Sequence, residues 1–353
     1  MDFARPPKSL AFPGRGYTRA GKNCKGERAP QNPVYRLKFR KIRYFRDRRP
    51  AHARLAPKQT HLCFRPEKML SYQHAYHAGG PADVHKHAAL CLLLARLAEK
   101  DKPFAVVDLY AGHGVYDLGS TEAQKTQEFS SGIARLWPLR NTSTPLAVEK
   151  LLAAISTLNP DGALKTYPGS PTLARAALRE NDRLVLNELH PAAQDDIKRW
   201  ARRDSRISVH MRDGLEALVG LVPPPIRRGL VVIDPSYEVK SEYADLPDAL
   251  RKAVRKWKEG IYFVWYPILA DNRHAELIAG LEKDIPGEIL CCELMFTRGK
   301  AAKDAPGLRG TGLVVVNPPW QFDIAMAEAG EWMAKTMTAG GQHAARWLKR
   351  ANA

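Results

Sequence analysis

From residue 82 onward two hydrophobic patterns take turns along the chain. Short uninterrupted apolar runs, rich in Val, Ile and Leu, fall at 103–109, 184–187, 207–210, 230–233, 261–265, 289–295 and 313–316. Continuous runs of this length read as strands buried on both faces, the habit of a parallel sheet. Between them, apolar positions recur every three to four residues at 82–99, 146–158, 171–181, 192–203, 245–258 and 273–283. That spacing predicts helices. Strands alternating with helices predict an α/β fold with a mostly parallel, doubly wound sheet.

One interval breaks the alternation. The stretch from the glycine turn at 110–114 to the strand at 184 far exceeds the ~30 residues of a βαβ unit. Residues 115–167 hold Trp137, the turn-rich Asn141-Thr-Ser-Thr-Pro145 and the helical 146–158. They are expected to form an inserted, mainly helical subdomain.

Charge changes the picture only at the N-terminus. The net charge is +18, but residues 1–68 carry 19 Lys/Arg against four Asp/Glu, whereas the remainder carries 36 against 33. With eight prolines and no clear periodicity, 1–68 is expected to lack a packed core. It reads as a basic RNA-binding arm, or as a translated leader upstream of a functional start at Met69. An organelle-targeting peptide is disfavoured by its proline density and scarce serine. Five cysteines without a Cys-x-x-Cys pair, and no apolar run of ~18 residues, point to a reduced, cytoplasmic, soluble protein.

Candidate chemistry gathers at strand ends, where open α/β sheets bind ligands. The 103–109 strand runs into Tyr110-Ala-Gly112-His-Gly114, a close-approach turn without the full phosphate-binding glycine pattern. Glu188 ends the next strand, a place from which a carboxylate accepts ribose hydroxyls. Asp213-Gly214 follows the third, suited to edge an adenine ring, and Asp234-Pro235-Ser236-Tyr237 follows the fourth. Four such ends make a nucleoside-shaped cleft without a phosphate cradle, which suits S-adenosylmethionine better than NAD. Asp/Asn-Pro-Pro-aromatic in this position is the signature of enzymes that methylate exocyclic or amide nitrogens. Asn317-Pro318-Pro319-Trp320 matches that pattern more literally, but it follows the last predicted strand. Asp234 is therefore preferred, with Trp320 expected to pack on the core. Ser170, followed by Pro171, reads as a helix N-cap whose free N–H groups suit a carboxylate. His74, His77, His85 and His87 invite a metal reading, but no cysteine lies near them, and positions 85 and 87 do not share a helix face; no metal is expected.

Together, Met69-Leu-Ser-Tyr72-Gln-His-Ala-Tyr-His77-Ala-Gly79, Ala82-Asp-Val-His-Lys-His87, Tyr167-Pro-Gly-Ser-Pro171, Glu188-Leu-His-Pro191, Ile233-Asp-Pro235 and Trp265-Tyr-Pro267 resemble the bacterial ribosomal large-subunit adenine-N6 methyltransferase J family. The resemblance spans 69–320 and beyond, but not 1–68. It implies a Rossmann-like S-adenosylmethionine-dependent methyltransferase domain at 69–353, with a helical insertion. It also implies methylation of one 23S rRNA adenine, adenine 2030, on N6. By matching position, the cofactor contacts would be His87, Tyr110, Ser170, Glu188, Asp213, Gly214 and Asp234. Tyr72 would touch the RNA. Two departures stand out: Tyr110 where the family often has His, and Ser236 where it has a second proline.

In that scheme the adenine amine donates to Asp234 and the Pro235 carbonyl while Tyr237 stacks on the base. 23S rRNA would be the one macromolecular partner, the enzyme a monomer without membrane attachment. The rivals are a DNA adenine-N6 or protein glutamine methyltransferase, and a non-catalytic RNA-binding protein on the same fold.

Overall fold

The computed structural model describes residues 73–296, 307–338 and 340–350. The segment 1–68, Met69 and Tyr72 lie outside the described residues.

Helix α1 (Pro81–Ala98) starts with proline at its first position, where no intrahelical N–H is needed. All of its residues from Asp83 to Leu94 are buried, so its first two turns bury polar side chains and its later turns apolar ones. Strand β1 (Ala105–Asp108) follows. The insertion comes next: β2 (Val115–Asp117), α2 (Thr121–Thr126), α3 (Ile133–Leu136), α4 (Leu146–Leu158) and β3 (Thr166–Pro168). Strands β2 and β3 pair antiparallel, and the Gly169 N–H and Thr172 hydroxyl both donate to the Gly114 carbonyl at 2.7 Å. The two ends of the insertion are thereby clasped together.

The chain then runs α5 (Ser170–Ala177), β4 (Arg183–Asn187), α6 (Pro191–Ala201), β5 (Ile207–His210), α7 (Gly214–Leu221), β6 (Gly229–Ile233), α8 (Glu242–Lys256), β7 (Ile261–Leu269) and α9 (His274–Asp284). It closes with β8 (Ile289–Met295), β9 (Leu308–Val316), α10 (Phe322–Met337) and β10 (Gln342–Lys349). The sheet order is β10-β8-β9-β7-β6-β1-β4-β5. Strands β5, β4, β1, β6 and β7 are mutually parallel, whereas β9 is antiparallel to β7 and β8, and β10 to β8.

Strand side chains divide by the period-2 rule. Val106, Leu184, Val232, Phe263 and Val315 join one core with α1, α4, α5 and α10. Val107, Ile233, Val264 and Val314 join the other with α8 and α9. The result is a three-layer α/β/α sandwich of Rossmann-like type.

All seven apolar runs are strands. The pattern does not announce β2 and β3, at three residues each, or the edge strand β10, whose polar-rich sequence alternates toward solvent. It also misses the eight-residue α7. In α10, Phe322, Met326, Ala329 and Met333 carry a helical spacing that the expected set omits. Among the described residues, no helix is long and apolar enough to cross a membrane, and no group of three His, Cys, Asp or Glu side chains is arranged to hold a metal ion.

Candidate active site

Strand order reverses at β1. The chain steps from β1 outward to β4 and β5, then returns to lay β6 and β7 on the other side. Such a switch point opens a crevice at the carboxyl ends of the two central strands. A cavity of about 660 Å³ lies there, lined among others by Lys86 and His87 of α1, Tyr110 and Gly112 of the glycine turn, Ser170, Glu188, and Asp234-Pro235-Ser236.

The glycine turn is held open by its backbone. Gly112 and Gly114 have φ of 60° and 82°, and a Cβ on Gly112 would stand 2.5 Å from the Tyr116 hydroxyl. Glu188 braces the turn: one carboxylate oxygen accepts from the Gly112 N–H and the other from the His190 N–H, both at 2.8 Å. Glu188 also lines the cavity, and a carboxylate with two accepted bonds keeps capacity for further donors.

Asp234 is held by a residue to which sequence reasoning assigned no role. Lys86 donates to its Oδ2 at 2.5 Å and pairs with Asp83 Oδ1 at 2.9 Å. Asp83 also accepts from the Gly79 N–H and lies 3.1 Å from His74 Nε2. Burial alone would raise the Asp83 pKa, but His74, His87 and Lys86 outweigh it and hold the carboxyl well below its ordinary value. Lys86 thus joins a fixed anion on its own helix to the strand-end carboxylate. The sequence shows only that Asp83, Lys86 and His87 share one face of an otherwise apolar helix; it does not show which carboxylate Lys86 meets.

A second unforeseen acid is Asp108, the last residue of β1, fully buried. Its Oδ1 accepts from the Tyr110 N–H at 3.3 Å, and the Ser170 hydroxyl stands beside the carboxyl. Burial pushes this carboxyl up to about 7, held back by the neighbouring Ser170 hydroxyl and the Tyr110 N–H, with Asp234 adding to the rise.

Four expectations for residues around the cavity change. Gly169, not Ser170, is the N-cap of α5; Ser170 is the first helical residue, buried on the cavity wall. Asp213 does not line the cavity, because its carboxylate caps α7, accepting from the Leu215 and Glu216 N–H groups at 2.9 and 3.2 Å. Gly214 lies behind Tyr110, whose ring would stand 2.2 Å from any Cβ there. Tyr237 is buried at φ 54°: its hydroxyl donates to the Trp265 carbonyl at 2.7 Å, and its ring lies 4.4 Å from that of Tyr243. It is packed into the wall rather than presented for stacking.

The histidines find separate partners: His77 with Glu128 and His87 with the Tyr167 hydroxyl, both at 3.0 Å, and His85 facing His343 in the core. Burial lowers the His87 pKa to about 3 against the raising effect of the Asp83 charge, so its ring is neutral at physiological pH.

Asn317 occupies the opposite edge of the sheet. Strand β9 runs antiparallel to β7, so its end, Val316, pairs with Tyr262 at the start of β7. Asn317 Nδ2 donates to the carbonyls of Lys258 and Gly260 at 2.7 and 2.8 Å. Trp320 is not packed on the core but 83% exposed.

The lining is acidic. Asp117, Glu122, Glu188, Asp196, Asp234 and Glu242 stand against Lys86, the sole Lys or Arg among the described lining residues. Such a wall favours a cationic small molecule over an anionic one.

Comparison with known proteins identifies the family. The family model described as Ribosomal RNA large subunit methyltransferase D, RlmJ, matches residues 101–349. A relative named Ribosomal RNA large subunit methyltransferase J, from Escherichia coli strain K12, is 39% identical over 277 residues, 78% of this chain and 97% of its own. One of the same name from Haemophilus influenzae is 36% identical over 274 residues, 77% and 96% of the two chains. The crystal structure of a Legionella pneumophila protein, 34% identical, superposes with a TM-score of 0.70 over 76% of this chain and 98% of that one. With the family model spanning well over half of its length, the chain belongs to the RlmJ family of ribosomal RNA large subunit methyltransferases.

Proposed function

We propose that this methyltransferase moves a methyl group from S-adenosylmethionine to N6 of one 23S rRNA adenine, adenine 2030 by the family resemblance. The observation that carries this reading is the Asp234-Pro235 turn at the switch point, with Lys86 on one carboxylate oxygen and no described hydrogen bond on the other.

S-adenosylmethionine supplies its methyl group as a sulfonium substituent, an electrophile whose leaving group is a neutral thioether. The donor set fits such a ligand: carboxylates surround a cation, Glu188 offers acceptors for ribose hydroxyls, and no glycine pattern builds a phosphate cradle. Glu188, Ser170, Tyr110 and His87 would contact it directly. Asp213 and Gly214 would act one step back, by capping α7 and leaving room for the Tyr110 ring.

The adenine amine is a poor nucleophile because its lone pair is delocalised into the ring. Donating its two N–H groups to Asp234 Oδ1 and the Pro235 carbonyl would turn that lone pair toward the methyl group. Lys86 would hold Asp234 in the accepting orientation. The N6 proton becomes acidic as the N–C bond forms, so an ion-paired carboxylate is base enough to take it. Tyr237 would brace the turn through Trp265 rather than stack on the base. The role of Tyr72 as an RNA contact rests on the family resemblance alone.

The test is a methylation assay on naked 23S rRNA, duplex DNA and a release factor, using a chain that starts at Met69. N6-methyladenosine at one rRNA position, absent from a deletion strain and restored by that chain, is the expected result. Methylation of DNA or of a glutamine amide instead would overturn the reading.

A further inference from the structure

The cavity is a poor electrostatic host for a nucleic acid strand. With six carboxylates on its described wall and one lysine, it repels the phosphates on either side of an inserted adenine. If RNA is the substrate, cations elsewhere on the surface must hold its backbone.

Helix α6 leads from the cavity to such a place. Its first half lines the cavity through Ala192, Ala193 and Asp196. Two residues past Asp196 stands Lys198, then Arg202 and Arg203 where the helix ends. At 1.5 Å rise per residue, Asp196 to Arg202 is about 9 Å. Lys198 and Arg202 are four residues apart and share a helix face. With Arg203 they line a second depression, floored by Ile207 and Val209 of β5.

Three observations make this groove more than a solvated helix end. First, Lys198, Arg202 and Arg203 are exposed and form no ion pair among the described residues, whereas Arg199 is taken by Asp196. Second, the one acid in the groove, Asp204, is already committed to Arg175 at 3.1 Å and to Arg206 at 2.7 Å. Third, β5 is the last strand in the sheet order; on its outer edge the Ile207 N–H is spent on the Asp204 carbonyl, and the Val209 N–H is left as a backbone donor that no strand pairs among the described residues. Cationic side chains and backbone N–H groups are the two donor types that grip phosphate oxygens without reading bases. None of the large apolar side chains found exposed lines the groove, which argues against an apolar protein partner.

We propose that the groove between the C-terminal half of α6 and the edge strand β5 docks RNA backbone phosphates, anchoring the strand whose adenine enters the cavity. This rests on the rRNA reading above. The groove would set affinity and orientation, not base choice.

The test compares two triple variants of the full chain on a 23S rRNA fragment that the unaltered enzyme methylates. One carries Lys198→Glu, Arg202→Glu and Arg203→Glu. The control carries Arg255→Glu, Lys283→Glu and Lys335→Glu, three exposed cations on α8, α9 and α10. The groove variant is expected to raise KM for RNA at least tenfold while kcat and cofactor affinity stay within twofold. Its plot of log affinity against log salt should also flatten by about 2, at ~0.7 for each single-strand phosphate that the three cations no longer neutralise. The control should match the unaltered enzyme. Equal KM rises in both variants, or none in the groove variant, would overturn the proposal. So would a defect seen only on protein-containing ribosomal particles, which would make the groove a protein contact. If the unaltered enzyme methylates no RNA, the rRNA reading fails first and takes the groove with it.

Discussion

The chain contains two acid-or-amide-plus-proline turns, and the sheet uses them in opposite ways. Asp234-Pro235-Ser236-Tyr237 leaves a parallel strand next to β1, opens on a cavity and meets a buried lysine. Asn317-Pro318-Pro319-Trp320 leaves an antiparallel strand two places further along, at the opposite edge of the sheet. The second is the more literal match to the methyltransferase signature, yet its amide is spent on two backbone carbonyls. Strand direction separates the two turns, and distance along the sheet does not: β9 lies only one strand beyond β7. A carboxylate can act on a ligand only if the strand delivers it to the edge where the switch point opens.

The comparison predicts different kinds of damage. Asp234→Asn keeps shape and an acceptor for Lys86 but loses the charge. We expect kcat to fall roughly 10²- to 10⁴-fold, the range for a group that handles a proton in the transition state. Circular dichroism should be little changed. A variant with near-normal turnover would remove Asp234 from the chemistry.

Asp108 sits beside this turn and has no counterpart at the far edge. Its carboxyl, pushed by burial to about 7, keeps its proton in the folded chain while an unfolded chain loses it near 3.8. The folded state then binds more protons across that window, so stability falls as pH rises from about 4 to 7 and is flat outside it. Asp108→Asn should abolish that part of the slope. The stability difference between variant and unaltered protein should grow by on the order of 4 kcal/mol over the window, at 1.36 kcal/mol per unit. Denaturation midpoints at several pH values, compared pairwise, cancel the other groups. A pH-independent difference would mean that Asp108 is ionised throughout.

Asn317→Ala should do the reverse of Asp234→Asn. It removes two hydrogen bonds to backbone carbonyls, one exposed and one part-buried, at about 1 kcal/mol each, and puts a less tolerant residue at φ 55°. A loss of about 2–3 kcal/mol of stability is expected, with kcat unchanged at a temperature where the protein stays folded. A loss of turnover without a loss of stability would revive Asn317 as the functional turn.

Much of this contrast was readable in the residues. Apolar runs located seven of the eight strands of the main sheet, and Glu188 and Asp234 could be assigned to strand ends from those runs alone. Strand direction was not readable, because a buried antiparallel strand such as β9 carries the same continuous apolar run as a parallel one. Contacts made across long sequence separations were also hidden. Lys86 meets Asp234 across 148 positions, and nothing local to either residue says so. Asp213 illustrates the converse limit: a strand-end acid followed by Gly214 is equally a ligand contact and a helix cap, and the structure makes it the cap.

Ser236 is the smallest and sharpest test of how far the Asp234 turn depends on stiffness. In the structure Ser236 is half-buried on the cavity wall, and the following residue, Tyr237, is held at φ 54° by its bond to Trp265 and its contact with Tyr243. Much of the rigidity a second proline would supply therefore already comes from the buried ring. Ser236→Pro narrows the unfolded and flexible states of the turn by about 0.4–1 kcal/mol. If all of that reached the transition state, kcat would rise two- to fivefold, at a factor of ten per 1.36 kcal/mol. Because Tyr237 is anchored, the gain should sit at the low end of this range. Substituting Tyr237→Phe, which removes the bond to Trp265, should move the proline's benefit to the high end. A hundredfold gain from Ser236→Pro alone would show that the turn is loosely held despite its buried ring, and the contrast with the pinned Asn317 turn would then be one of rigidity as well as direction.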